Sequence, residues 1–213
     1  MGQVGVLALQ GAVSEHLARL PRHGYEGIPV KRPRDLERLD ALIIPGGEST
    51  AISRLIRENG LTKALRDFGR ERPVLGTCAG LILCAAEIAD GGGDVEPLGL
   101  MDISVCRNGF GRQKDSFETE VEVSGTGRDI PAVFIRAPYI VRAGRDVTPL
   151  AFVDGRAVMA ESGHILVCAF HPELTEDPRV FDRFFRKLEA RELKPEPCPP
   201  SKKFPVKTAA ARF

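Results

Sequence analysis

The sequence has almost no excess charge. Its 30 lysines and arginines stand against 29 aspartates and glutamates, a formal charge of +1, which gives no electrostatic ground for nucleic acid or an anionic membrane as partner. A small molecule or another protein is expected instead. Long hydrophobic runs are missing too: none approaches the ~20 residues that cross a bilayer. The opening stretch MGQVGVLALQGAVSEH has no basic leader before a strand-like pattern, so a cytoplasmic protein is expected.

Cysteine is sparse. The five residues Cys78, Cys84, Cys106, Cys168 and Cys198 are odd in number and scattered, which argues against a disulfide framework and for free thiols. There is no CxxC, and no histidine lies three to five residues from another, so neither a structural zinc site nor any other metal is expected. The lysine of a P-loop and a GxGxxG after the first strand are absent as well, and no cofactor is expected. Internal repeats and low-complexity blocks are lacking.

What is present is a regular alternation. Residues 4–9 (VGVLAL), 27–31, 41–45 (ALIIP) and 73–77 (PVLGT) are short apolar runs bounded by Gly, Pro or charge, as parallel strands buried on both faces should be. Between them, 12–22, 49–59, 61–70 and 79–89 carry helix-period apolar residues. This βαβα order predicts an α/β fold with an open, mostly parallel sheet, helices on both faces and ligands beyond the carboxyl ends of the strands. From about 100 to 170 the pattern changes to strand-like pieces at 100–106, 117–123, 132–136, 150–153, 156–161 and 164–170, expected as an antiparallel extension of the sheet. A last helix over 177–191 should bury Val180, Phe181, Phe184, Phe185 and Leu188. The domain is thus expected to span 1–192, and the proline-rich segment 193–213 to be a mobile tail.

Residues 76–80 read GTCAG. Placed between a strand and a helix, G-x-C-x-G is the cysteine analogue of a nucleophile elbow, with glycines where the turn crowds the backbone and a helix N-terminus to favour a thiolate. The plain alternative is a core cysteine between glycines. A thiolate nucleophile needs a base. Of the four histidines, His16 and His23 fall on or after the first helix and read as solvated, and His164 lies in a turn. His171 stands at a strand end in HPE, where Pro172 fixes its relation to Glu173, a group suited to orient the imidazole. A capping histidine before the last helix is the alternative. PGGEST at 45–50 could turn backbone N–H groups toward a ligand, as an oxyanion hole shared with Ala79 or as a phosphate cradle.

Together these stretches resemble the triad class (class I) of glutamine amidotransferases, whose sheet is flavodoxin-like, and within it the glutaminase subunits of pyridoxal 5'-phosphate synthases. The matching segments are LALQGAVSEH (7–16), PGGEST (45–50), GTCAGLIL (76–83), RNGFGRQKDSFE (107–118), FIRAP (134–138) and FHPELTED (170–177). The resemblance implies that Cys78 attacks the carboxamide of L-glutamine, His171 carries the proton to the leaving ammonia, and Glu173 orients His171. It implies a glutamine site of Gly47, Glu48, Ser49, Arg107, Ile135 and Arg136, and an oxyanion hole of Gly47 and Ala79. It implies a (β/α)₈-barrel synthase as partner in a large hetero-oligomer, receiving ammonia for vitamin B6 synthesis. Activation by docking would run in part through Gln10 and the glycine peptide at 46–47. Tyr139 departs from the family, where a histidine is usual. Another amidotransferase glutaminase, such as the one serving histidine biosynthesis, should lack RNGFGRQ and HPELTED together. A free-standing cysteine hydrolase would need no ammonia acceptor, and a non-catalytic module would not keep all three catalytic positions filled.

Overall fold

The computed structural model describes residues 2–91, 93–109 and 116–192. Residues 110–115 of the RNGFGRQKDSFE segment, and the expected tail 193–213 with Cys198, lie outside the described residues. Strand β1 (Gln3–Leu7) leads through α1 (Val13–Arg19) to β2 (Glu26–Val30), and β3 (Ala41–Ile44) is followed by α2 (Ser49–Glu58) and α3 (Thr62–Glu71). β4 (Val74–Thr77) runs into α4 (Ala79–Cys84). The second half is β5 (Ala85–Ile88), β6 (Met101–Cys106), β7 (Ser116–Val123), β8 (Gly127–Ile135), β9 (Tyr139–Ala143), β10 (Thr148–Val153), β11 (Arg156–Ser162) and β12 (Ile165–Cys168), closed by α5 (Arg179–Glu192).

The main sheet has the order β2-β1-β3-β4-β12-β11-β9-β6-β5, with β10 also on β11. The five strands from β2 to β12 are parallel. β3, β4 and β12 are buried at every residue, which is why ALII, VLGT and ILVC are unbroken by charge: helices cover both faces of a parallel sheet. Their order is that of a flavodoxin-like doubly wound sheet, whose ligands sit beyond the carboxyl ends of the strands. Register places those ends side by side, Ile44 beside Gly76 and Thr77 beside Cys168. From β12 to β6 the pairing is antiparallel, the expected extension. Helix α5 closes the core with Val180, Phe181, Phe184, Phe185 and Leu188, all buried and each worth about 1.5–3 kcal/mol of apolar burial.

Two expectations are corrected, and one strand appears that no expectation covered. The helix expected over 79–89 stops at Cys84, because the N–H groups of Leu98, Gly99 and Leu100 bond the carbonyls of Leu83, Ala85 and Cys84 at 2.7, 3.0 and 2.9 Å. Those carbonyls are then unavailable to a further turn, and the chain continues as β5, parallel to β6. The strands at 117–123 and 132–136 do not extend the main sheet. They form a separate two-stranded ribbon, β7 with β8, anchored by the stacked rings of Phe117 and Phe134 at 4.6 Å. Strand β9 was not expected, since only Ile140 of YIVRA is buried and an edge-like polar segment gives little periodic signal.

Candidate active site

The turn from β4 to α4 is a strained elbow. Cys78 has φ 49° and ψ −104°, a conformation that costs a non-glycine residue on the order of 1–3 kcal/mol. The surroundings hold it there: its N–H bonds the Cys168 carbonyl at 2.8 Å, and its own carbonyl accepts from Leu81 and Ile82 at 3.0 and 3.4 Å. The flanking glycines are steric necessities. A Cβ on Gly76 would lie 2.7 Å from the Gly80 carbonyl oxygen, and one on Gly80 would lie 2.0 Å from that of Ile44. The thiol thereby emerges at the carboxyl edge of the sheet, 7% exposed, with Sγ 3.7 Å from the Ile135 carbonyl.

His171 arrives from the neighbouring strand β12. Its N–H is fixed on the Val133 carbonyl at 2.9 Å, and its Nδ1 lies 2.7 Å from Glu173 Oε1. Because an ionised carboxylate only accepts, Nδ1 carries the proton of this bond. Burial disfavours a charged imidazole here, but the ring's hydrogen bonds to the Cys78 and Glu173 side chains outweigh it and hold His171 up at about 10. Burial also works to raise Glu173, yet the His171 hydrogen bond and the nearby His16 and His171 keep it below its ordinary value. The cluster therefore favours an imidazolium between the Cys78 sulfur and a carboxylate, and a cysteine acts as a nucleophile in the thiolate form that such a cation supports.

A cavity of about 310 Å³ opens over this pair, lined by Gln10, Gly47, Glu48, Ser49, Cys78, Ala79, Ile82, Arg107, Asn108, Ile135, Arg136 and His171. It brings together every residue singled out from the sequence except Glu173, which lies behind His171 at 3% exposure. Glu48 caps α2, its carboxylate accepting from the N–H groups of Thr50 and Ala51 at 3.2 and 2.8 Å. Its own N–H donates to Gln10 Oε1 at 2.8 Å. Arg107 is held beside Asp90, with Nε 3.5 Å from Oδ1 and its main-chain N–H 3.1 Å from Oδ2. Arg136 has φ 44°, and among the described residues its guanidinium has no ion pair. Ala79 is the first residue of α4, where a helix leaves its N–H without an intrahelical partner. The Gly46 carbonyl accepts from Ala12 N–H at 3.0 Å and the Gly46 N–H donates to Thr77 Oγ1 at 3.1 Å. Among the described residues no cluster of His, Cys, Asp and Glu is placed to hold a metal ion.

Sequence reasoning misplaced two histidines. His16 is not solvated but fully buried, with Nε2 3.1 Å from Thr77 Oγ1 and 3.4 Å from Glu173 Oε2. His23 is largely buried as well, 3.0 Å from Asp182. The available signal was spacing, since His16 lies three residues after Val13 and four before the buried Leu20, on the inward stripe of the first helix.

Comparison with known proteins places the chain in a family. The profile of the SNO glutamine amidotransferase family matches residues 6–190. The pyridoxal 5'-phosphate synthase subunit PdxT of Brevibacillus brevis is 54% identical over 183 residues, covering 85% of this chain and 95% of that one. The corresponding PdxT of Actinobacillus pleuropneumoniae serotype 5b is 51% identical over 186 residues, covering 87% and 95%. A crystal structure of a glutamine amidotransferase superposes with a TM-score of 0.82 at 45% identity, covering 87% of this chain and 98% of that chain. The chain belongs to the SNO glutamine amidotransferase family.

Proposed function

We propose that this glutamine amidotransferase hydrolyses L-glutamine through a Cys78-His171-Glu173 triad and passes the ammonia to a (β/α)₈-barrel pyridoxal 5'-phosphate synthase subunit. The observation that carries the reading is one cavity joining Cys78 and His171 to Glu48, Arg107 and Arg136. A zwitterionic amino acid needs cationic donors for its carboxylate and a carboxylate for its ammonium. The Cys78 sulfur attacks the side-chain carboxamide carbon, and the oxyanion forms against the N–H groups of Ala79 and Gly47. The C–N bond then breaks as His171 gives its proton to the departing ammonia, leaving a glutamyl thioester. Water, giving a proton to His171, cleaves the thioester to glutamate and releases the Cys78 sulfur as a thiolate beside the imidazolium. Glu173 keeps the imidazole in the tautomer and orientation both steps need. Ser49 and Ile135 complete the wall around the substrate.

The PdxT names of the relatives support a synthase partner, and ammonia freed into water would be protonated and diluted. Docking can reach the chemistry through Gln10, because its amide oxygen holds Glu48 N–H and nearby Ala12 N–H holds the Gly46 carbonyl. The Ala12 bond fixes the peptide that carries the Gly47 N–H, and the Gln10 bond fixes the peptide that follows it. We assign the whole span 1–192 to this domain and the reaction to the cytoplasm.

The test is ammonia release from glutamine by the wild type and by Cys78→Ala, with and without a barrel-type synthase. One missing oxyanion donor costs about 10²–10³-fold, so the synthase should raise kcat of the wild type by at least about that factor and leave Cys78→Ala inactive. Equal wild-type rates with and without synthase would favour a free-standing hydrolase. Persistent hydrolysis by a folded Cys78→Ala protein would remove the nucleophile assignment.

A further inference from the structure

The triad has a fourth neighbour that the mechanism above does not use. Glu173 is fully buried at its side chain. Its Oε1 is taken by His171, but among the described residues Oε2 has no hydrogen-bond partner of good geometry. A buried carboxylate oxygen without a donor is costly. The group facing it is His16 Nε2 at 3.4 Å, on a different element and 0% exposed. The same Nε2 lies 3.1 Å from Thr77 Oγ1, and that hydroxyl oxygen also accepts the Gly46 N–H at 3.1 Å.

Which nitrogen of His16 carries the proton follows from these neighbours. If Nε2 were bare, its lone pair would point at a carboxylate oxygen, and the proton on Nδ1 would have no acceptor, since Nδ1 has no partner among the described residues. With the proton on Nε2, the N–H has the Thr77 oxygen as acceptor and the Glu173 carboxylate 3.4 Å from its nitrogen, and Nδ1 is left as a bare acceptor, the less costly of the two defects. Burial lowers His16 below its ordinary value, with Glu173 and Glu15 opposing and His171 reinforcing the effect. The ring is therefore a neutral donor. It can steady the carboxylate without competing with the His171 imidazolium for it. The edge of Phe181, 5.9 Å away between ring centres, closes the other side of the imidazole.

We propose that His16 is a positioning residue of the glutaminase: its Nε2, bonded to Thr77 and 3.4 Å from Glu173 Oε2, holds the carboxylate that orients His171 and ties it to the glycine turn at Gly46. The proposal rests on the triad reading given above. Through Thr77, one imidazole links the base side of the cavity to the main chain that precedes Gly47. Loss of this donor should slow the chemical step and spare substrate binding.

Three variants separate this role from simple core packing. A glutamine amide can place its nitrogen where Nε2 stood, an asparagine amide mimics Nδ1 instead, and leucine supplies only bulk. A hydrogen bond to a charged group is worth roughly a 10- to 100-fold change in rate. With synthase present, His16→Leu and His16→Asn should lose about that factor in kcat at nearly constant KM, and His16→Gln should recover most of it. Alkylation of Cys78 by iodoacetamide, followed by peptide mass mapping against pH, gives a second readout that needs neither glutamine nor partner. Its midpoint should move to higher pH in the leucine and asparagine variants and return in His16→Gln, because a poorly held Glu173 stabilises the imidazolium less. Equal activity in all three variants overturns the proposal. So do equal losses that follow the melting temperature with an unmoved alkylation profile. If the wild type with synthase releases no ammonia, the glutaminase reading fails, and the alkylation profiles still decide whether His16 positions Glu173.

Discussion

Replacing Gly46 by alanine isolates the distance between nucleophile and base. A Cβ built there lies 2.4 Å from His171 Cε1, 3.0 Å from Nδ1 and 3.2 Å from Cys78 Cβ, where ordinary contact begins at 3.4 Å. Gly46 is not among the glycines with positive φ, so alanine adds no backbone strain and the whole effect comes from the contact. The imidazole must recede by roughly 1 Å, and it has little freedom to do so. Its side chain is 8% exposed, Nδ1 is anchored 2.7 Å from Glu173, and the main chain is pinned to Val133. Overpacking of this kind costs about 1–3 kcal/mol of stability, which leaves a folded protein if stability is ordinary. A displacement of about 1 Å in a reacting group costs on the order of 10²-fold in rate. Gly46→Ala should therefore lose at least that much kcat in synthase-stimulated ammonia release, with a much smaller change in KM. Circular-dichroism melting checks that the fold persists. A folded Gly46→Ala protein with kcat within about 3-fold of wild type would refute the reasoning, because a 10²-fold effect is about 2.7 kcal/mol and could not be hidden.

Gln10→Ala removes the acceptor of Glu48 N–H and should impair the synthase-stimulated rate more than the basal one; equal losses in paired assays would place Gln10 outside activation. His171 is raised from 6.5 to about 10, with burial opposing and its Cys78 and Glu173 hydrogen bonds prevailing, so its contribution to stability is complete below about 6.5 and is lost as pH rises through about 10. Denaturant titrations from pH 6 to 10.5 should show that decline in the wild type and a flatter profile in His171→Asn, and parallel profiles would contradict the assignment. Burial pushes the Cys84 thiol up to about 12 and the Cys168 thiol well above its usual value. Iodoacetamide at neutral pH should therefore modify Cys78 in the native protein and reach Cys84 and Cys168 only after unfolding, as peptide mass mapping would show.

The parts of the molecule that were legible in the sequence are those where local chemistry and tertiary structure demand the same residue. Gly76 and Gly80 are required by contacts of 2.7 and 2.0 Å that the elbow itself creates, so five residues disclose a turn, a strand end and a helix start. His171 and Glu173 are two apart, and their 2.7 Å bond is nearly local. The parallel strands were readable because burial on both faces leaves no polar residue to blur ALII or ILVC. What escaped notice depends on distant partners. The end of α4 is set by residues 98–100 reaching its last carbonyls, and a window centred on 79–89 contains nothing of them. The β7–β8 ribbon and the main sheet use the same alternating pattern, so period alone cannot tell which neighbour a strand will choose. His16 is the sharpest case, being 61 residues from Thr77 in the chain. Its ring is polar on a short helix beside Glu15, which locally reads as surface. Only the packing of α1 against β1, β2 and the turn at 172–174 turns it inward, against a carboxylate that needs a donor. A buried polar side chain on an otherwise apolar stripe is thus the point where local reading fails because a site has claimed the residue.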